Sequence, residues 1–378
     1  MMPGRVQRLA PFAVVLLLAA SAHGFAPSIL VADGLAPSAL MLLRSAGANV
    51  VERHYAQTEL GAALGEYDAV IIRSATTLTS EIIEAGAGGR LRVIGRAGVG
   101  VDNVDIEAAR AAGCWVLNTP GASTASVVEL TLAHMLAAAR GLQEADIGLK
   151  SGRWLKGSVQ LGQRGGPRLG HELSGKRLGL LGFGRIAQGV AKAASALGMH
   201  VVAYSRTADE SLAASLDVEL AASAADLFST CSHVVILCAL NDETRGFVDR
   251  NKIELMPQRG ADGTPCGSHL FNMARGGIVV EMDAANCLQD NSLTTYCADV
   301  YEKEPPSPTN PLLRCDNFHG TPHVGGATME AQARVGMLIA GSVLKALEVP
   351  SPLLGVEEGT EGVVAAGRVI NDPSVYMW

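Results

Sequence analysis

Aromatic residues make up only 4% of this 378-residue chain, so its cores must be filled by aliphatic side chains and alanine. The seven cysteines include no C-x-x-C pair, and their number is odd. That argues against a disulfide framework and a cysteine zinc site, and no metal is expected. No lysine/arginine block follows residue 10 and the net charge is −7, which speaks against a nucleic-acid partner. No apolar run reaches the ~20 residues a membrane-spanning helix needs; Pro11–Ala20 falls well short. There is no internal repeat. What remains is a Gly/Ala-rich chain, 48% hydrophobic, suited to helices packed over a parallel sheet.

The stretch Arg177–Ala194, RLGLLGFGRIAQGVAKAA, stands out. An apolar run enters Gly182-Phe183-Gly184-Arg185-Ile186-Ala187 and continues as a small-residue helix. Strand, glycine turn and helix in that order make a dinucleotide-binding unit. Gly182 permits the turn, Gly184 lets a pyrophosphate approach the backbone, and Ala187 allows close helix–strand packing. A second strand, His200–Tyr204, follows at the expected distance. Further apolar runs at Ser28–Asp33, Tyr67–Ser74, Leu91–Arg96, Cys114–Leu117, His233–Ala239, His269–Ala274 and Leu293–Val300 alternate with helical spacing. The fold class expected is α/β, with two doubly wound parallel-sheet domains. Ser123–Lys150 reads as one long connecting helix, with Ser126 and Glu129 as a capping box and His134 packed on its apolar face. The organisation expected is a Rossmann domain, 123–320, inserted in a flavodoxin-like substrate domain formed by 27–122 and 321–378.

Polar residues at predicted strand ends carry the chemistry. Arg275 offers a planar fork that holds a carboxylate and polarises a carbonyl. His323 is suited to moving one proton near neutral pH, and Glu304 beside it would fix the ring and stabilise an imidazolium. In this order the stretches Ile71–Thr76, Val93–Ile106, Gly179–Ala187, Asn272–Val280, Asp299–Pro306 and Thr321–Thr328 resemble the D-isomer-specific 2-hydroxyacid dehydrogenases, from Ile29 to about Ala366. The resemblance implies Arg275, Glu304 and His323 as catalytic residues. It implies Arg73, Ser74, Arg96, Gly98, Val99, Gly100 and Asn118 at a small anionic substrate. For the cofactor, NAD or NADP, it implies Gly182, Gly184, Arg185, Ile186, Ala187, Ser205, Arg206, Cys238, Met273, Ala274, Asp299, Gly325 and Gly326. The expected reaction is hydride exchange with a D-2-hydroxy acid, foremost 3-phosphoglycerate. The alternative is an NADPH-dependent glyoxylate/hydroxypyruvate reductase, and a nicotinamide-sensing corepressor-like protein stands behind both. A homodimer is expected. His319 has no role in the pattern.

The departures from the family pattern are informative. Where its NAD enzymes place an acid after the second strand, this chain has Ser205-Arg206. A carboxylate ~4 Å from a phosphate charge would cost about 4 kcal/mol at an effective dielectric of about 20, so its loss tilts the expectation toward NADP. Cys238 replaces a usual threonine and Val280 an acid. The loops 157–170 and 258–268 are long, and the chain after His323 is too short for a ligand-sensing domain. At the start, Arg5 and Arg8, the run Pro11–Ala20 and small residues to Gly24 read as a cleaved leader, 1–24. Phe25 after it resembles the start of a plastid transit segment. Plastid delivery by way of a signal-type leader is expected, with secretory and cytoplasmic locations as alternatives, and no membrane contact in the mature form.

Overall fold

The computed structural model describes residues 26–154 and 170–347 and the backbone of 363–364. The predicted leader, most of the loop 157–170 and the tail beyond 347 apart from that backbone lie outside the described residues. In the first part, β1 (Ser28–Val31), α1 (Pro37–Ser45), β2 (Asn49–Glu52), α2 (Gln57–Leu64), β3 (Ala69–Ile72), α3 (Ser80–Ala87), β4 (Val93–Arg96), α4 (Ile106–Ala111) and β5 (Trp115–Leu117) alternate without exception. Two helices follow, α5 (Thr124–Arg140) and α6 (Leu142–Lys150). The second part runs β6 (Arg177–Leu181), α7 (Arg185–Ala196), β7 (His200–Tyr204), α8 (Glu210–Ser215), β8 (Glu219–Leu220), α9 (Ala224–Thr230) and β9 (His233–Ile236). It continues through α10 (Arg250–Glu254), β10 (His269–Asn272), α11 (Glu281–Asp290), β11 (Thr295–Ala298) and β12 (Phe318–Gly320). Last come α12 (Met329–Ala346) and β13 (Val363–Val364).

These strands make two sheets. The first has the order β13-β5-β4-β3-β1-β2, parallel except for β13, which is the flavodoxin-like arrangement. The second has the order β12-β11-β10-β9-β6-β7-β8, all parallel, a Rossmann order extended by one strand. Strands buried on both faces are largely apolar, as in AVII of β3 and Val234–Ile236 of β9, because helices cover both sides. Helix α12 returns from the far end of the chain to the first sheet. Its Ile339 and Val343 are fully buried and press on β4 at Gly95, where a methyl would lie 2.9 Å from Val343 Cγ2. Each such side chain contributes about 1.5–3 kcal/mol of burial.

Two readings of the connector need correction. The stretch Ser123–Lys150 is two helices, because Gly141 takes the left-handed conformation (φ 55°) and turns the chain between them. Ser126 is no cap either. It sits inside α5 and its hydroxyl is 2.7 Å from that of Thr328, the residue that caps α12. His134 is packed as expected, with Nε2 3.2 Å from Thr321 Oγ1.

The glycine turn after β6 is fixed twice. Gly182 has φ 100°, and a Cβ there would meet the Cys238 nitrogen at 2.8 Å. Gly182→Val is therefore expected to destabilise the protein by about 2–3 kcal/mol. Urea unfolding checks this, and a loss under 1 kcal/mol would count against the turn being so constrained.

Candidate active site

The functional side chains gather at the carboxyl ends of strands of both sheets, where a doubly wound fold leaves its crevices. From the first sheet, Arg73 follows β3 and Arg96 ends β4. The Arg73 loop is tied down by Asp33, whose carboxylate accepts the Arg73 N–H at 2.7 Å and both groups of Thr76. Asn103 completes the tie, donating to the carbonyls of Arg73 and Thr76 at 2.7 and 2.6 Å. Ser74 is exposed beside them. The loop after β4 holds two close approaches. The Arg96 guanidinium lies against Gly98 and that of Arg275 against Gly100, so a side chain at either glycine would displace an arginine. Asn118 donates to the Val99 carbonyl at 2.7 Å and holds the loop from the other side. Burial, then the neighbouring Arg275 charge, pushes Arg96 down to about 10. The two cations share the Asp102 carboxylate's field, and a like charge this near favours a further anion beside them.

Arg275 arrives from the second sheet, after β10. Its Nε donates to Asp102 Oδ1 at 3.1 Å and its Nη1 to the Ala274 carbonyl at 2.8 Å. This contact joins the two sheets' loops. Across from it, His323 Nδ1 lies 2.6 Å from Glu304 Oε2, both side chains part-exposed. Burial raises the Glu304 carboxyl, but the His323 hydrogen bond and charge and the Tyr301 N–H outweigh it, and the net shift is downward. His323 has φ 52°, unusual for a residue with a Cβ. Asp299, at the end of β11, imposes it: its carboxylate accepts Thr321 Oγ1 at 2.6 Å and the N–H groups of Val324 and Gly325 at 2.8 Å. Gly326 follows in the same loop. The Glu304 loop is held in turn by Glu281, which accepts the Glu302 N–H at 2.7 Å and the Asn310 amide at 2.6 Å.

The dinucleotide-type crevice lies on the same edge. α7 begins at Arg185, its cap Gly184 offers no side-chain acceptor, and Ile186 and Ala187 follow in its first turn. Those first-turn N–H groups are not bonded by a cap side chain, as an incoming pyrophosphate requires. Ala187 is fully buried, and Gly189 lets α7 close on Val128 of α5. Ser205 and Arg206 follow β7, Cys238 follows β9, and Met273 and Ala274 follow β10. Burial pushes the Cys238 thiol up to about 11, so it is an inert wall there. Arg206 forms a salt bridge with Glu243, an acid on the turn after β9 that the sequence pattern does not single out. Nor does the pattern single out Asp33, Asp102 and Asn103; only their positions at strand ends or in the glycine loop point to them. His319 pairs with Glu144 of α6 at 3.2 Å.

A Rossmann crevice opposed by arginines and a carboxylate–histidine pair defines a two-sheet dinucleotide-binding protein. The family model for the D-isomer specific 2-hydroxyacid dehydrogenase NAD-binding domain matches residues 132–325. The D-3-phosphoglycerate dehydrogenase of Methanocaldococcus jannaschii is 38% identical over 319 residues, 84% of this chain and 57% of the relative. The hydroxypyruvate reductase of Thermotoga maritima is 37% identical over 311 residues, 82% of this chain and 94% of the relative. The crystal structure of the TT0316 protein from Thermus thermophilus superposes with a TM-score of 0.74 at 31% identity, over 86% of this chain and 100% of that one. The chain belongs to the D-isomer-specific 2-hydroxyacid dehydrogenase family, with a fold for a nicotinamide cofactor. It spans little more than half the length of the phosphoglycerate dehydrogenase relative.

Proposed function

We propose that the chain oxidises or reduces a D-2-hydroxy/2-oxo acid with a nicotinamide cofactor, and that its substrate is 3-phosphoglycerate. The observation that carries the chemistry is the Glu304–His323 pair set against Arg275. Bound in the crevice, the nicotinamide supplies or accepts the hydride. The residues do the rest. Arg275, with the backbone of Gly98–Gly100, holds the carboxylate and draws electron density from the C2 oxygen. His323, anchored through Nδ1, presents Nε2 to take the C2 hydroxyl proton or return it. Glu304 keeps the ring oriented and offsets the positive charge that forms. Arg73 and Arg96 supply the further cations a phosphorylated acid needs, and this supports the phosphorylated substrate. Steady-state assays of 3-phosphoglycerate, glycerate, glyoxylate and hydroxypyruvate with both nicotinamides test the reading. Turnover of the unphosphorylated acids alone would transfer the assignment to the reductase reading, which the Thermotoga maritima relative supports.

The cofactor choice turns on Arg206. No acid follows β7, yet the guanidinium that would greet a 2′-phosphate is engaged by Glu243. Glu243→Gln is expected to raise kcat/KM with NADP(H) about fivefold relative to NAD(H), since an exposed ion pair is easily replaced. No change in the ratio would mean Arg206 does not face the ribose.

A second copy of the chain is the proposed partner. Leu142, Ile147, Leu149 and Trp154 lie exposed along and just after α6, with Leu136 on α5. Ile147→Glu with Leu149→Glu is expected to yield monomers in sedimentation; unchanged dimers would move the interface elsewhere.

A further inference from the structure

The edge of the second sheet opposite the proposed active site holds a cluster the reaction does not use. His233 opens β9 and His269 opens β10; they are paired in register, and both are buried. His171 enters from the segment before β6 and is half-buried. The three rings form one group, with centroids 5.0, 4.8 and 4.6 Å apart. One ring nitrogen of each lies within 4.8 Å of the other two. His171 and His269 stand just after the two loops that exceed the family pattern, 157–170 and 258–268.

The hydrogen bonds sort the ring nitrogens. His269 Nε2 is 2.8 Å from the Cys266 carbonyl. A carbonyl only accepts, so Nε2 carries the proton and Nδ1 the lone pair. His233 Nδ1 is anchored at 3.0 Å by the Ser232 hydroxyl, which leaves Nε2 pointing at His171 Nε2, 2.9 Å away. An imidazole held at one nitrogen by a carbonyl or hydroxyl, with the other turned into a shared space, is the arrangement that supports metal-bound histidine. We propose that His171, His233 and His269 bind one borderline divalent transition-metal ion of the zinc class.

The distances suit it. Bonds of about 2.0–2.1 Å in a tetrahedron put ligand nitrogens about 3.3 Å apart, so rotation of the rings from their stacked positions completes the site. The metal then replaces the His171–His233 contact. Burial disfavours the protonated form of two of the rings: it pushes His171 down to about 4 and holds His233 well below the ordinary imidazole range. The charges that face the cluster are Lys176, buried and paired with Asp262 at 2.8 Å, and that aspartate. The Cys266 thiol is held neutral by burial. Lys176 opposes a second cation, and its bond to Asp262 offsets that opposition. His171, being part-exposed, leaves the fourth position to water. An ion here ties the segment before β6 to the starts of β9 and β10.

The test uses the untagged full chain, stripped of metal and titrated with zinc chloride. One zinc per chain is expected, with a rise in melting temperature. His171→Gln is expected to weaken binding at least tenfold while leaving the far-ultraviolet circular dichroism and kcat/KM unchanged. With cobalt(II) in the parent chain, X-ray absorption should show three imidazole ligands. Absence of stoichiometric binding, zinc affinity unaffected by His171→Gln, or fewer than two imidazoles around cobalt would overturn the site. The cobalt measurement decides the matter even if the variant fails to fold.

Discussion

His323→Gln should lower kcat by about 10²–10⁴-fold, the range in which a positioned acid/base acts. Glutamine can still accept or donate a hydrogen bond, but it cannot carry the proton of the C2 hydroxyl. Cofactor binding, read by quenching of protein fluorescence, should persist, since the residue stands outside the turn after β6. The pH dependence sharpens the test. Glu304 is shifted down, so its ionised form, and the contact with His323, persist to a lower pH than an ordinary glutamate would allow. The stability this contact lends is present above the unfolded-state value of a glutamate. It is lost only as pH falls through the lower folded value. Titration of activity between about pH 5 and 9 therefore does not report on Glu304. Glu304→Gln should lose less than His323→Gln, because it removes the orienting anion and leaves the base. A kcat for His323→Gln within fivefold of the parent would remove His323 from the proton path.

How the loop around His323 is built shows what sequence order conceals. The alternation of strands and helices is legible because strands buried on both faces are largely apolar, as AVII of β3 and Val234–Ile236 of β9 are. Edge strands are not: β2 and β8 carry polar and half-exposed residues, so no apolar run marks them. The family resemblance places Asp299 in the cofactor cleft. It is buried and spends its carboxylate on Thr321, Val324 and Gly325. Strand-end position announced its importance, whereas its partners lie more than twenty residues on and no spacing predicts them. The Arg206–Glu243 and Arg275–Asp102 pairs are of the same kind, as is the cluster of three histidines. Each joins residues distant in sequence that the sheet order, or the meeting of the two sheets' loops, brings together. Residue types at strand ends can be read in advance; which of them touch depends on sheet order.

Arg275→Lys is the sharpest probe of the substrate side. A guanidinium holds a carboxylate through two parallel N–H bonds in one plane; an ammonium keeps the charge and loses the fork. Arg275 is also aimed, by Asp102 at Nε and by the Ala274 carbonyl at Nη1, across Gly100. Lysine has no group to satisfy both and still reach the substrate. The expected loss in kcat/KM is about 10²–10³-fold, or roughly 3–4 kcal/mol of transition-state stabilisation. Because the C2 oxygen gains charge along the reaction, part of the loss should fall on kcat and not on KM alone. Asp102→Asn keeps the arginine and frees its aim. It should therefore give a smaller loss, with KM rising for every acid tested. If Arg275→Lys raised KM and left kcat unchanged, the arginine would be a docking charge only, and polarisation of the carbonyl would have to come from His323.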